Sequence, residues 1–184
     1  EKRRFVWLKA KGRPQTGSPA NSGMARLLII ANPVSGRGRA PAIVPEAQRI
    51  LSEAGHSTRL VWTQRPGHAK QAASGSDAQW ADGLISAGGD GTLHEVINGR
   101  GDNPMPVGIV PLGTGNVLAK EMRLPWNAKG SMAPVTAWST RKVDLCELTD
   151  GRRFSCMLSA GIDGEIIRLL QKGRDGAIRM SQYL

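Results

Sequence analysis

Residues 84–99, with the sequence LISAGGDGTLHEVING, join a short apolar run to a glycine-rich loop and then to a helical pattern. Leu84–Ala87 has the length and composition of a buried strand, and Leu93–Asn98 has the spacing of a helix that Gly99 ends. A strand that enters a helix through such a loop is the repeating unit of parallel α/β sheets. The stretch therefore predicts an α/β fold with a ligand at the carboxyl end of the strand.

The same unit recurs on both sides of this stretch. The predicted strands are Leu27–Ala31, Thr58–Thr63 and Val107–Val110, and the predicted helices are Ile43–Ala54, Pro66–Ala73 and Val117–Met122. This alternation predicts a mostly parallel sheet with flanking helices. After Arg141 the pattern changes to two strands, Val143–Glu147 and Phe154–Leu158, around a turn, which predicts the start of an antiparallel β domain.

The chain is predicted to have three parts. Residues 1–23 hold six basic residues and one acidic residue, which is about half of the formal charge of +10, and they are rich in glycine and proline. This composition predicts a disordered basic leader. Residues 24–141 are predicted to form a nucleotide-binding α/β domain, and residues 142–184 the beginning of an incomplete, β-rich second domain.

Composition excludes several classes of protein. No apolar run reaches the roughly 18 residues that span a bilayer, and no secretory signal follows the charged first residues. Cys146 and Cys156 form no disulfide framework or metal-binding spacing, so we expect two core thiols in the reducing cytoplasm. The dispersed tryptophans form no stripe for stacking bases, so we expect no specific nucleic-acid partner. The positive charge favours other anionic partners.

The loop Gly88-Gly89-Asp90-Gly91-Thr92 is suited to binding phosphate. Its glycines leave backbone N–H groups open to an anion at the start of a helix, where Thr92 can cap the helix or donate to the anion. Asp90 would repel a phosphate unless a cation or a proton lies between them. It is therefore predicted to hold Mg²⁺ or to accept a proton from an attacking alcohol. The structural alternative is that Asp90 is the N-cap of the following helix.

Two further loops follow neighbouring predicted strands. Asn32-Pro33-Val34-Ser35-Gly36 is flexible and carries polar side chains, and the next residues include two arginines that could hold phosphate. Gly113-Thr114-Gly115-Asn116 has polar tips at Thr114 and Asn116. The sequence contains no P-loop and no dinucleotide-binding fingerprint, and its three histidines are too scattered to predict a metal site.

Taken together, NPVSG at residues 32–36, GGDGTLHEVINGR at 88–100 and VPLGTGNVLAKE at 110–121 resemble the catalytic domain shared by diacylglycerol kinases, sphingosine kinases and their bacterial relatives. Thr63, Gly67-His68-Ala69 and residues 159–163 also resemble that family, and the resemblance covers about Ala25 to Leu170. It implies an ATP-dependent lipid kinase that transfers the γ-phosphate of ATP to a lipid hydroxyl, with Mg²⁺ accompanying the nucleotide.

The resemblance also implies which residues contact ATP. The matching positions are Asn32, Pro33, Val34, Ser35, Gly36, Thr63, Gly88, Gly89, Asp90, Gly91, Thr92, Leu93, His94, Thr114 and Asn116. The family usually has Asn where His94 stands. Asp90 is the residue expected to bind the metal and to act in catalysis.

The resemblance leaves several points open. Bacterial members carry an acidic catalytic base and further metal ligands in the second half of their second domain, so we expect this chain to be a fragment or a truncated form. An NAD kinase-like enzyme, which shares the GGDGT loop, and a non-catalytic ATP-binding pseudokinase are the alternatives. The partner implied is a lipid substrate at a membrane surface, with the protein cytoplasmic and peripheral at the membrane. The acceptor lipid is not specified, and a homodimer is left open.

Overall fold

The computed structural model describes the backbone of residues 2–8 and describes residues 24–158, 161, 164 and 165 in full. The strands are β1 Lys2–Leu8, β2 Arg26–Ala31, β3 Ser57–Trp62, β4 Gly83–Gly88, β5 Val107–Pro111, β6 Thr140–Glu147 and β7 Arg153–Phe154. The helices are α1 Ser35–Gly38, α2 Ala40–Glu53, α3 His68–Ser74, α4 Ser76–Trp80, α5 Asp90–Arg100, α6 Val117–Glu121 and α7 Ala128–Thr136. Within the residues described, no helix is long and apolar enough to cross a membrane.

The strands form one sheet in the order β3-β2-β4-β5-β1-β6-β7. The four strands β3, β2, β4 and β5 are parallel, and each is joined to the next in sequence through helical segments. Their carboxyl ends therefore meet at one edge of the sheet. The antiparallel strands β6 and β7 continue the sheet on the far side of β1. The predicted fold class, a parallel α/β sheet followed by antiparallel strands, is confirmed.

Helices cover both faces of the parallel strands. Alternate residues of β2 point to opposite faces, because successive side chains of a strand alternate. Leu28 and Ile30 belong to a core with α3, α4, α5 and α6. Leu27 and Ile29 belong to a second core with α2 and α7. All four side chains are fully buried, as expected for a central strand of a three-layer domain.

Helices α3 and α5 pack closely at a glycine. A Cβ added to Gly99 would lie 2.1 Å from the carbonyl oxygen of Lys70 and 2.8 Å from Cβ of Ala73. The backbones of the two helices can approach this closely only because Gly99 has no side chain. This contact fixes α3 against the helix that follows the GGDGT loop.

The leader differs in part from its prediction. Lys2–Leu8 forms β1, which pairs antiparallel with β6 over seven residues and meets β5 at Trp7 and Val107. The expectation of disorder is therefore wrong for these seven residues. Phe5, Val6 and Trp7 favour strands, and the backbone hydrogen bonds of β6 give them a partner that composition cannot reveal. Residues 9–23 lie outside the described part of the chain.

Other differences concern the lengths of elements. The α5 helix begins at Asp90, three residues before its predicted start, and β7 is limited to Arg153–Phe154. The family-like segment at 159–163 is outside the described residues except for Gly161. The cysteines also differ from the prediction, since Cys146 and Cys156 are exposed rather than in the core.

Candidate functional site

A cavity of about 390 Å³ opens at the carboxyl ends of β2 and β3, beside the first turn of α5. Its walls come from the loop after β2, the loop after β3, the start of α3 and the start of α5. The lining residues are Asn32, Pro33, Val34, Thr63, Gln64, Arg65, Pro66, Ala69, Gly91, Thr92 and Glu95. The fold thus brings six of the predicted contact residues to one cavity, although they are far apart in the sequence.

Two hydrogen bonds of Asn32 fix the loop after β2. The amide of Asn32 donates to the carbonyl of Ala87 in the neighbouring β4, and Oδ1 of Asn32 accepts a hydrogen bond from the amide of Val34. The next turn, α1, has positive φ at Gly36 and at Arg37. A Cβ on Gly36 would lie 2.8 Å from the carbonyl oxygen of Leu112. Glycine is therefore required here because the loop packs against the end of β5.

Glu95 fixes the opposite wall of the cavity. Its carboxylate accepts hydrogen bonds from the amides of Gly67 at 2.9 Å and Ala69 at 3.0 Å. These amides lie at the start of α3, so Glu95 ties that helix to α5. The two donors compensate the negative charge of Glu95, which would otherwise repel an anion in the cavity. Glu95 was not among the predicted site residues, because its partners lie more than 25 residues away.

The GGDGT loop packs directly against the loop after β5. A Cβ on Gly113 would lie 2.4 Å from Cα of Gly89, and a Cβ on Gly89 would lie 3.1 Å from Cα of Gly113. A Cβ on Gly88 would lie 2.4 Å from the hydroxyl oxygen of Thr92. Gly88 and Gly113 are thus required by contacts within the protein, and Gly89 is tightly packed. Gly91 is different, because an added Cβ would meet no atom within 4 Å.

Asp90 joins the two loops. Its Oδ1 accepts a hydrogen bond of 2.7 Å from the amide of Val117, the first residue of α6. Oδ2 lies close to Gly115, where an added Cβ would be 2.8 Å away. The N-cap of α5 is Gly89 rather than Asp90, and no side chain caps that helix. The alternative prediction, that Asp90 is the N-cap of α5, is therefore wrong, since its carboxylate binds the start of α6 instead.

The loop after β5 is closed by Asn116. This residue is buried and has a positive φ of 46°. Its Oδ1 accepts from the amide of Gly113 at 2.9 Å, and its Nδ2 donates to the carbonyl of Gly113 at 2.6 Å. The side chain of Asn116 is therefore engaged within its own loop, while Thr114 is exposed at the tip.

The remaining predicted residues lie around the cavity rather than in its lining. Leu93 is buried in the core, and His94 is exposed on α5. Ser35 is buried at the start of α1. Gly36, Gly88 and Gly89 belong to loops whose neighbouring residues line the cavity. The contacts of all these residues with a nucleotide stay predictions.

Asp90 is the residue predicted to bind Mg²⁺. Within the described residues, no cluster of three or more His, Cys, Asp or Glu side chains could hold a metal ion. Mg²⁺ does not require such a cluster, because it commonly binds one or two carboxylates together with substrate phosphates and water. Asp90, with only Oδ1 engaged by the amide of Val117, fits one such ligand.

The β6–β7 hairpin is attached to the carboxyl end of α5. The side-chain amide of Asn98 accepts from the amide of Arg153 and donates to its carbonyl, both at 2.9 Å. The Arg153 side chain, 10% exposed, pairs with Glu147 and Asp102 at 2.7 Å each. The hydrogen bond to Glu147 raises the pKa of Arg153. Burial, aided by the charge of Arg153, lowers the pKa of Arg100 to about 10.

Cys156 follows β7 and responds to the charge of Asp90. Burial raises the pKa of the partly covered Cys156 thiol, and the carboxylates of Asp90 and Glu121 add to the rise. The hydroxyl of Ser155 lies 3.6 Å from the sulfur. The charge of Asp90 thus acts on a residue of the segment that the sequence assigned to a second domain.

Comparisons with known proteins agree with these features. The Diacylglycerol kinase catalytic domain matches residues 26–148. Sphingosine kinase 2 from Homo sapiens is 42% identical over 106 residues, which are 51% of this chain and 16% of that protein. A diacylglycerol kinase from Staphylococcus epidermidis is 35% identical over 138 residues, which are 74% of this chain and 43% of that protein. A solved diacylglycerol kinase from Bacillus anthracis str. Sterne superposes with a TM-score of 0.63 at 26% identity, covering 70% of this chain and 49% of that one.

This chain spans less than half the length of each of these relatives. The matched region nevertheless includes the parallel sheet, the cavity and all three glycine-rich loops. The resemblance predicted from the three motifs is thereby confirmed: the chain belongs to the diacylglycerol kinase catalytic domain family.

Proposed function

We propose that this chain is the ATP-binding part of a lipid kinase that transfers the γ-phosphate of ATP to a lipid hydroxyl at a membrane surface. The observation that carries the proposal is the cavity that joins Asn32, Thr63 and the Gly91-Thr92 turn. Membership of the diacylglycerol kinase catalytic domain family favours this function over that of an NAD kinase-like enzyme.

The phosphates of ATP are proposed to lie at the first turn of α5. Gly91 and Thr92, in the first turn of this eleven-residue helix, line the cavity. The first N–H groups of a helix have no partner within it, and together with the helix dipole they favour an anion at this end. Gly91 has open space in front of it, so a phosphate can approach its backbone. The negative charge of Glu95 is compensated by two amide donors. The part of the cavity beside Glu95 would then receive the uncharged portion of the nucleotide.

Asp90 is proposed to act next to the transferred phosphate. When bound, Mg²⁺ would supply charge neutralisation to the phosphates. Asp90 would hold that ion through its carboxylate while the hydrogen bond to Val117 keeps the carboxylate in place.

ATP binding is tested first by removing one hydroxyl from the cavity. Thr63→Val keeps the shape of the side chain and removes its donor, so we expect the affinity for Mg-ATP to fall about two- to tenfold. Thr58→Val is the matched control, because Thr58 lies near the start of β3, at the end of the strand remote from the cavity. Isothermal titration calorimetry measures both variants, and thermal denaturation checks their fold.

Two results would contradict the proposal. One is the absence of any binding or thermal shift with millimolar Mg-ATP in folded wild-type protein. The other is an equal loss of affinity in Thr58→Val and Thr63→Val. Phosphoryl transfer is tested separately with labelled ATP and a panel of lipids that carry a hydroxyl group. Binding of ATP without transfer to any lipid would favour the non-catalytic alternative for these 184 residues.

A further inference from the structure

We propose that the surface formed by Val117, Lys120, Arg123, Trp126 and Lys129, here called the α6–α7 surface, docks the protein on an anionic lipid bilayer. The inference deepens the proposed function and rests on it for one point only, which is that the substrate resides in a membrane. The surface itself is defined by exposure, charge and its connection to Asp90.

The first observation is the exposure of large apolar side chains. Trp126 is 48% exposed and Val117 is 37% exposed. Tryptophan has a large apolar ring whose exposure to water is unfavourable. It is enriched at membrane interfaces because its ring is apolar and its indole N–H is polar. An exposed Trp in the linker between α6 and α7 is thus suited to the headgroup region of a bilayer.

The second observation is the charge around Trp126. Lys120, Arg123 and Lys129 are exposed, with Glu121 as the acidic residue between them. Within the described residues, none of the three cations forms a salt bridge. Nζ of Lys120 lies 5.9 Å from the centre of the Trp126 ring. Arg123 and Lys129 are each three positions from Trp126 in the sequence. An exposed aromatic ring with a lysine beside it and two further exposed cations in the same segment complements anionic lipid better than an apolar protein surface.

The third observation places this surface beside Asp90. The amide of Val117 donates to the carboxylate of Asp90 at 2.7 Å. Val117 and Lys120 are three residues apart on α6 and therefore share one face of the helix. Beyond β7, Met157 and Leu158 are also large apolar side chains with high exposure, 74% and 60%. A bilayer that contacts Trp126 would lie next to the position proposed for phosphoryl transfer.

The experiment is vesicle co-sedimentation of the full chain. The vesicles contain phosphatidylcholine alone or with about one third phosphatidylserine, which supplies the anionic charge. We expect Trp126→Ala to weaken partitioning about tenfold or more, because the ring no longer leaves water. We expect Lys129→Glu to weaken it about fivefold for each unit of charge, on the anionic vesicles only. The basic residues of the leader add the same background to every variant.

Lys70→Glu is the matched control, since it makes the same charge change at an exposed lysine on α3. Its partitioning should equal that of the wild type, and the affinity for Mg-ATP should be unchanged in all three variants. Wild-type partitioning in Trp126→Ala would overturn the inference. So would concentration-dependent self-association that Trp126→Ala abolishes, because the surface would then bind a second copy of the chain. If the wild-type protein bound vesicles but did not bind Mg-ATP, only the proposed function would be contradicted.

Discussion

At the scale of single residues, Asp90 combines a structural contact with its proposed chemistry. One carboxylate oxygen accepts from the amide of Val117 and so joins the GGDGT loop to α6. The sequence alone offered metal binding, proton transfer or helix capping for this residue. The hydrogen bond to Val117 could not be predicted from a local motif, because Val117 lies 27 positions further along the chain.

Two substitutions separate the contact from the chemistry. Asp90→Asn keeps an oxygen that can accept from Val117, so we expect the free energy of unfolding to change by less than about 1 kcal/mol. Asp90→Ala removes the acceptor and should cost about 1 kcal/mol or more. Both should abolish the gain in ATP affinity that Mg²⁺ provides. Thermal denaturation and calorimetry with and without Mg²⁺ measure the two effects, and an unaltered Mg²⁺ dependence in Asp90→Asn would exclude Asp90 as a metal ligand.

His56 predicts a pH dependence of stability. It is 5% exposed, and its Nδ1 accepts a hydrogen bond from the amide of Ala25. Burial lowers the pKa of His56; the backbone of Thr136 offsets part of this, although its geometry falls short of a hydrogen bond to Nε2. Because the folded pKa lies below the unfolded value, the unfolded chain binds more protons. The contribution of His56 to stability is therefore present above about pH 6.5 and is lost as the pH falls towards the folded pKa.

The measurement is the free energy of unfolding between about pH 7 and pH 5, where the slope from one histidine reaches at most about 1.4 kcal/mol per pH unit. His56→Gln removes the titrating group and should flatten this slope. An equally steep slope in His56→Gln would assign the pH dependence to other groups.

At the scale of elements, the sequence predicted the parallel strands well. Their apolar runs are buried on both faces, so pattern and burial agree in Leu27–Ala31 and Leu84–Ala87. Helix α7 was not predicted, because Gly130 and Pro134 inside it are poor helix formers. It forms because Met132 and Val135 are buried against the sheet and because Asn127 caps its first turn.

The glycine-rich loops were predicted as a site, but the reason for each glycine was not. Sequence reasoning assigned the glycines of GGDGT to phosphate binding as a group. The structure divides them, since Gly88 is required by packing, Gly89 is tightly packed and only Gly91 has open space. Contacts between two loops depend on distances that a local motif does not encode.

Gly91 and Gly113 provide the corresponding prediction. Gly91→Ala adds a methyl group in open space within a helix, so stability should hold or rise by up to about 1 kcal/mol. Its affinity for Mg-ATP should nevertheless fall, because the methyl group occupies the proposed phosphate position. Gly113→Ala should lower stability and affinity together, since its Cβ would collide with the backbone of Gly89. Unchanged affinity in Gly91→Ala, measured by calorimetry, would place the phosphates elsewhere.

At the scale of the whole molecule, β1 connects the two parts of the sheet. It lies between β5, the last of the parallel strands, and β6, the first of the antiparallel hairpin. The sequence predicted a boundary near residue 141 and a leader without structure. The structure instead joins the first residues of the chain to residues 140–146, a pairing between segments more than 130 positions apart. Loop-length and composition arguments cannot anticipate a contact of this range.

Deletion of residues 1–23 tests this connection. Without β1, the backbone groups of β6 lose their partners on one side, so we expect the melting temperature to fall by about 5–10 °C and hydrogen exchange at residues 141–146 to accelerate. Charge acts in the opposite direction, because the deletion reduces the net charge of +10 and with it the self-repulsion of the folded state. A decrease in melting temperature would therefore report the lost strand rather than the lost charge.

Val6→Pro should reproduce most of the effect at full length and unchanged charge, since Val6 pairs with Lys142 in the middle of β1 and proline removes its amide donor. Thr16→Pro, outside β1, is the matched control and should have the melting temperature of the wild type. If the deletion and Val6→Pro both left the melting temperature and the exchange of residues 141–146 unaltered, β1 would contribute nothing to the fold, and the prediction of a disordered leader would stand.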